Sequence, residues 1–127
     1  MSEQPTNVLT ETKRLRHRIK RLYDLLNERK FDKCFEIVDP RLRTAGKITL
    51  ELYQSSLSHF IEKYGPLHVL RIDGLKLHID VPARNEDRDF AYALVVAQDA
   101  KGREMAFRER WVRESDGFWY TRKLGLV

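Results

Sequence analysis

The chain has 127 residues, of which 42% are hydrophobic and 34% charged, enough for one domain with its own core and too few for two. It offers no run of about 20 apolar residues for a membrane span and no basic start followed by an apolar stretch for a signal peptide, so a cytoplasmic protein is expected. Net charge is +5, and residues 13–21, KRLRHRIKR, hold six Lys or Arg; without those six the remainder sits near −1.

Residues 1–10 show no period and are expected to form a flexible segment, leaving 11–127 as the single domain. From about Glu11 the apolar positions Leu15, Ile19, Leu22 and Leu26 recur at three- and four-residue steps, which predicts a first helix ending near Arg29. Asp32 is placed to cap a second, short helix that stops at Asp39-Pro40, and 41–47 read as a loop. The stripe Leu50, Tyr53, Leu57, Phe60, Ile61 and Tyr64, opened by Thr49 and closed by Gly65-Pro66, predicts a third helix. Cys34 lies on a helical pattern as a small buried hydrophobe, and one cysteine without a partner fits a reducing compartment.

The period then changes to two. Leu75, Leu77, Ile79 and Val81 alternate with Lys76, His78 and Asp80, whereas Leu70 and Ile72 hold the opposite phase, so a bulge is expected at Asp73-Gly74. A charged turn over 84–89 leads to Phe90–Gln98, apolar on both faces and hence a central strand. Turns at 99–102 and 115–117 lead into strands over 103–114 and 118–124. The fold class is α+β: three N-terminal helices packed on a curved antiparallel sheet that encloses one pocket.

If Gln98 faces Arg103 across the first turn, Tyr92 meets Glu109 and Phe90 meets Trp111. If Asp116-Gly117 form a two-residue turn, Arg113 meets Tyr120, Trp111 meets Arg122 and Glu109 meets Leu124. Both registers select one large apolar face, expected to pack on the helices. It includes two charges that do not belong in a plain core, Glu109 and Arg122, either a pair fixing strand register or groups facing a wet pocket. Tyr53, Tyr92, Trp111 and Tyr120 then line that pocket or fill a core, while Trp119, with Val112 and Thr121 on the other face, is a candidate dimer contact.

The phrases LLNERKFDKCFEIVDPRL (25–42) and ERWVRESDGFWYTRKL (109–124), with the element order, resemble the nuclear transport factor 2-like superfamily, a cone fold that includes ketosteroid isomerases, scytalone dehydratase and polyketide cyclases. The resemblance implies a pocket between concave sheet and helices, a homodimer through the sheet, and in some members acid/base chemistry on a small hydrophobic ligand. It places Glu109 where ketosteroid isomerases carry a strand acid, and Tyr23 one residue away from their helix-one tyrosine. A counterpart of their general-base aspartate is missing, and His59, His68 and His78 do not form a dehydratase's His/Asp arrangement.

No metal is expected from four scattered histidines, no cofactor motif is present, and no nucleophile elbow accompanies a serine or the cysteine. Three functions therefore compete: a non-catalytic domain binding a small, partly apolar or anionic ligand at Tyr23, Tyr53, Tyr92, Glu109, Trp111, Tyr120 and Arg122; a small isomerase or dehydratase using Glu109; and a module docking an acidic protein or nucleic acid through Lys13, Arg14, Arg18 and Arg21. Aromatic residues are not interleaved with those cations in the sequence, which weighs against single-stranded nucleic acid.

Overall fold

The computed structural model describes residues 3–81 and 86–123, with side chains from Val8 onward; Leu124, the far end of the last expected strand and residues 84 and 85 of the charged turn lie outside them. The architecture is α+β, with a helical N-terminal region followed by a four-stranded antiparallel sheet in the order β1-β2-β3-β4.

Helix α1 spans Glu3–Asn27, so it begins inside the stretch expected to be loose. Pro5 permits this because it falls in the first turn, where a backbone N–H has no helical partner to lose. Leu15, Ile19, Leu22 and Leu26 are buried as their spacing requires, and Tyr23 and Leu25 widen the stripe. Arg29 takes a left-handed conformation (φ 59°) that closes the helix, with the Lys30 N–H donating to Leu25 O at 2.9 Å.

Helix α2, Phe31–Phe35, starts one residue ahead of expectation, and Asp32 does not cap it; the Lys30 carbonyl at the turn out of α1 already accepts from Lys33 and Cys34. The 41–47 segment contains a further short helix, α3, Pro40–Thr44. Asp39-Pro40 thus starts a helix where a stop was expected, with Asp39 accepting from the Arg41 N–H at 3.1 Å and proline in the first turn.

Helix α4, Leu50–Tyr64, agrees with the sequence, capped by Thr49 Oγ1, which accepts from the Leu52 N–H at 3.2 Å, and ended by Gly65 at φ 75°. A β-carbon at Gly65 would lie 2.6 Å from Ala100 Cβ, in the hairpin that docks there through its Ala100 N–H on Tyr64 O. Gly65→Ala combines that clash with a left-handed φ and is expected to cost about 1–3 kcal/mol, read as a lowered thermal midpoint by circular dichroism.

Strand β1 is His68–His78, with a register shift between Asp73 and Lys76 where the phase change called for one. Strands β2 (Phe90–Gln98), β3 (Glu104–Arg113) and β4 (Trp119–Thr121) complete a meander. Both expected registers are off by one residue. Ala93 rather than Tyr92 faces Glu109, Ala91 rather than Phe90 faces Trp111, Thr121 rather than Arg122 faces Trp111, and Trp119 rather than Tyr120 faces Arg113.

The cause is the turn chemistry. Asp99 pairs with Arg103 around a three-residue loop ending in Gly102 at φ 80°, and the Asp99 carboxylate accepts from the Lys101 and Arg103 N–H groups. Glu114 pairs with Phe118 around a second three-residue loop ending in Gly117 at φ 87°.

A one-residue slip exchanges the faces of a strand. The face on the helices carries Ala91, Ala93, Val95, Ala97, Phe107, Glu109 and Trp111, joined by Trp119 in the core shared with α1 and α4. Phe90, Val112 and Tyr120 form a separate buried cluster on the opposite face. After α2 the chain lies along β4 as a parallel bridge at Val38 and Thr121, with Asp39 N donating to Thr121 O at 2.9 Å. That bridge brings Asp39 beside Arg122.

Candidate functional site

Of the seven residues expected to share one pocket, four meet inside the core: Tyr23, Tyr53, Glu109 and Trp111. Glu109 is fixed from two elements, Tyr23 Oη of α1 donating to Oε2 at 2.5 Å and Trp111 Nε1 of its own strand donating to Oε1 at 2.9 Å. Burial pushes its carboxyl above the ordinary glutamate value, against the two donors and the Lys123 ammonium, which favour the charged form. Burial likewise raises Tyr23, helped by Glu109, so the phenol stays a donor and cannot serve as a base.

The other three expected residues are elsewhere. Tyr92 is exposed on the outer face, Tyr120 belongs to the outer cluster, and Arg122 donates to Asp39 Oδ2 at 2.9 Å instead of reaching Glu109. Lys123, which the sequence did not single out, and Thr121, expected on the outer face, take their places beside Glu109. The space these side chains leave is a cavity of about 20 Å3, lined also by Leu22, Leu26, Cys34 and Leu57. It has room for one water molecule. Cys34 there has its thiol pushed up to about 12 by burial and is no nucleophile.

The expected dimer contacts are also internal. Val112 and Thr121 are buried within the single chain, and Trp119 packs under α1 with its Nε1 donating to Glu11 Oε1 at 3.0 Å. Among the described residues no group of three His, Cys, Asp or Glu could hold a metal ion, and no helix is long and apolar enough to cross a membrane.

Among the described residues, concavities far larger than the core cavity are on the surface. Lys13, Arg14, His17, Arg18 and Arg21 form one wall of a groove whose other wall is the β3–β4 turn, Asp116 to Trp119. It has two lobes, of about 720 and 480 Å3, sharing Arg18, Arg21, Asp116 and Phe118. All four cations of the basic patch converge here because 13, 14, 17, 18 and 21 fall on one side of a helix.

Arg18 is half-buried and fixed, its Nε donating to Trp119 O at 2.8 Å and its guanidinium lying 5.3 Å from the centre of the Phe118 ring and 5.2 Å from that of Tyr120. Burial lowers its pKa, while Tyr120, Asp116 and Glu36 pull it back up. Arg14 is paired with Glu11 at 2.8 Å, whereas Lys13, His17 and Arg21 have no hydrogen-bonded or ionic partner among the described residues. Phe118, 56% exposed, places an aromatic ring among the cations that the linear sequence does not interleave. The Asp116-Gly117 turn before it was the one available signal.

Compared with protein-family models, curated proteins and solved structures, the chain finds no match.

Proposed function

We propose that this chain is a binding module of nuclear transport factor 2-like architecture, a sheet wrapped on its helices, whose working surface is the basic groove between α1 and the β3–β4 turn and whose partner is anionic. The carrying observation is the convergence of Lys13, Arg14, His17, Arg18 and Arg21 on that groove, two of whose cations, Lys13 and Arg21, form no salt bridge among the described residues. Cations outnumber the acids of the groove, Asp116 and, in the second lobe, Glu36, and an excess of one sign of charge concentrates partners of the other.

The small-ligand and isomerase readings need a substrate beside Glu109, and a 20 Å3 cavity would have to open to admit one. A homodimer through the sheet would have to use the exposed outer face around Tyr92 rather than Val112, Trp119 and Thr121.

Heparin tests the reading. The protein is expected to be retained on immobilised heparin, and the pair Lys13→Glu, Arg21→Glu to elute at distinctly lower salt. The control pair Lys76→Glu, Lys101→Glu makes the same charge change at exposed positions away from the groove. Equal elution of the two pairs, or passage of the wild type through the column, refutes a dedicated groove.

A further inference from the structure

We infer that the groove takes a single-stranded nucleic acid, with backbone phosphates along α1 and one base stacked on Phe118; the inference rests on the anionic-partner reading above. Four observations lead to it.

The cations recur along the helix at three- and four-residue steps, placing the Cβ atoms of neighbours about 5–6 Å apart. That row suits a chain carrying one charge at every unit.

The aromatic ring is in the right place and stands on a fixed backbone. Phe118 is the exposed large hydrophobic of the groove, and its backbone is fixed on both sides: its N–H donates to Asp116 Oδ1 at 2.9 Å and its carbonyl accepts from Glu114 N at 3.0 Å. Asp116 is itself held by the Tyr120 hydroxyl at 2.6 Å. With the backbone already fixed, only the side-chain torsions of Phe118 remain to be ordered when a base stacks on its ring.

Arg18 backs that ring. Its Nε bond to Trp119 O and its position over Phe118 and Tyr120 leave the guanidinium as a planar charge at the floor of the groove. A ring with a cation on one side and solvent on the other is a stacking platform of the kind single-strand binders combine with basic channels. An acidic peptide would use the cations alike and gain nothing specific from the ring.

The groove is concave. The turn carrying Phe118 stands beside α1, so the basic helix face cannot enter the major groove of a duplex without the turn meeting the backbone first. A single strand bends to follow such a wall.

Anisotropy of a labelled, mixed-sequence single-stranded oligonucleotide tests the inference, with its duplex and a polyglutamate of similar charge as competitors. Engagement of about four cations predicts that affinity for the strand falls roughly 50-fold between about 50 and 200 mM salt. Phe118→Ala is expected to weaken the strand by roughly 5- to 150-fold and polyglutamate hardly at all, and Phe118→Tyr to retain binding. Phe118 is exposed, so thermal melts of both variants should match the wild type.

If polyglutamate or the duplex competes as well as the strand, and Phe118→Ala binds the strand normally, the inference is overturned while the anionic-partner reading stands. If none of the three polyanions binds at the lower salt, both fall.

Discussion

Asp39→Ala is expected to remove about 3–5 kcal/mol of stability, because it takes the central acid from a buried cluster and leaves its cations behind. Asp39 is fully buried, with Arg88 Nη1 on Oδ1 at 2.7 Å, Arg88 Nη2 on Oδ2 at 3.0 Å and Arg122 Nη1 on Oδ2 at 2.9 Å. It also caps α3, a bond worth about 1 kcal/mol by itself. Arg88 is almost as deeply placed and keeps only Glu86 and Glu114 in the variant, while Arg122 keeps no carboxylate among the described residues.

Burial alone would raise the Asp39 carboxyl, but the bonds from Arg88, the Arg41 N–H and Arg122 outweigh it and hold it below the ordinary aspartate value. Glu86 is lowered in the same way, burial being outweighed by Arg88. For a depressed carboxyl the stabilisation is present above the unfolded value, near 3.9 for aspartate, and is lost as pH falls through the folded one. The wild type should therefore lose stability steeply below about pH 4, and Asp39→Ala should show a flatter acid limb. Urea titrations at neutral and acid pH measure both; a loss under about 1 kcal/mol at neutral pH would show that the cluster re-pairs without Asp39.

That cluster also shows what the sequence could reveal. The alternation of helices and strands, the stripe of α1, both caps of α4 and the bulge in β1 were legible because each is written in neighbouring residues. Helix α3 was not, since Asp-Pro serves equally as a stop and as a cap followed by a first-turn proline. Sheet register turned on two residues: Asp99, expected in the first loop, closes it, and Ser115, expected to close the second, lies in it, with Glu114 pairing with Phe118 instead. The first loop was expected one residue too long and the second one too short; a slip of one in either direction turns the partner strand over against β3, so the agreement between the two hairpins was no evidence for either.

The exchange of faces explains the site residues that moved. Glu109 and Trp111 face the helices as expected, but their cross-strand neighbours are small, Ala91 and Ala93, and that is why α1 can approach closely enough for Tyr23 to reach Glu109. The basic residues were visible from the start, yet the groove was not. Its second wall depends on a turn more than 100 positions from Lys13, and that wall is held against the helix by long-range bonds, Trp119 Nε1 to Glu11 and Arg18 Nε to Trp119 O, that no local pattern announces.

The buried carboxyl leads to the second large effect. Trp111→Ala is expected to cost about 3–5 kcal/mol, from the cavity left by a fully buried ring and from the donor taken off Glu109 Oε1. Glu109→Gln keeps the volume and can still accept from Trp111 and bond Tyr23, so its cost at low pH should be near 1 kcal/mol. The two variants separate by pH.

Because the folded value of Glu109 is raised, its contribution is fully present below the unfolded value and is lost as pH rises through the folded one. The deficit of Glu109→Gln relative to wild type should shrink from acid toward neutral pH. In Trp111→Ala one of the donors favouring the charged form is gone, which raises the carboxyl further and steepens the decline on the alkaline side. Chemical denaturation across that range reads both slopes, and a pH-independent gap between wild type and Glu109→Gln would mean that Glu109 is ionised in the fold. Glu109→Gln should also bind the oligonucleotide as the wild type does, because the buried carboxyl lies within the core and the groove lies on the solvent side of α1. Loss of binding there would couple the interior to the surface and return function to the core.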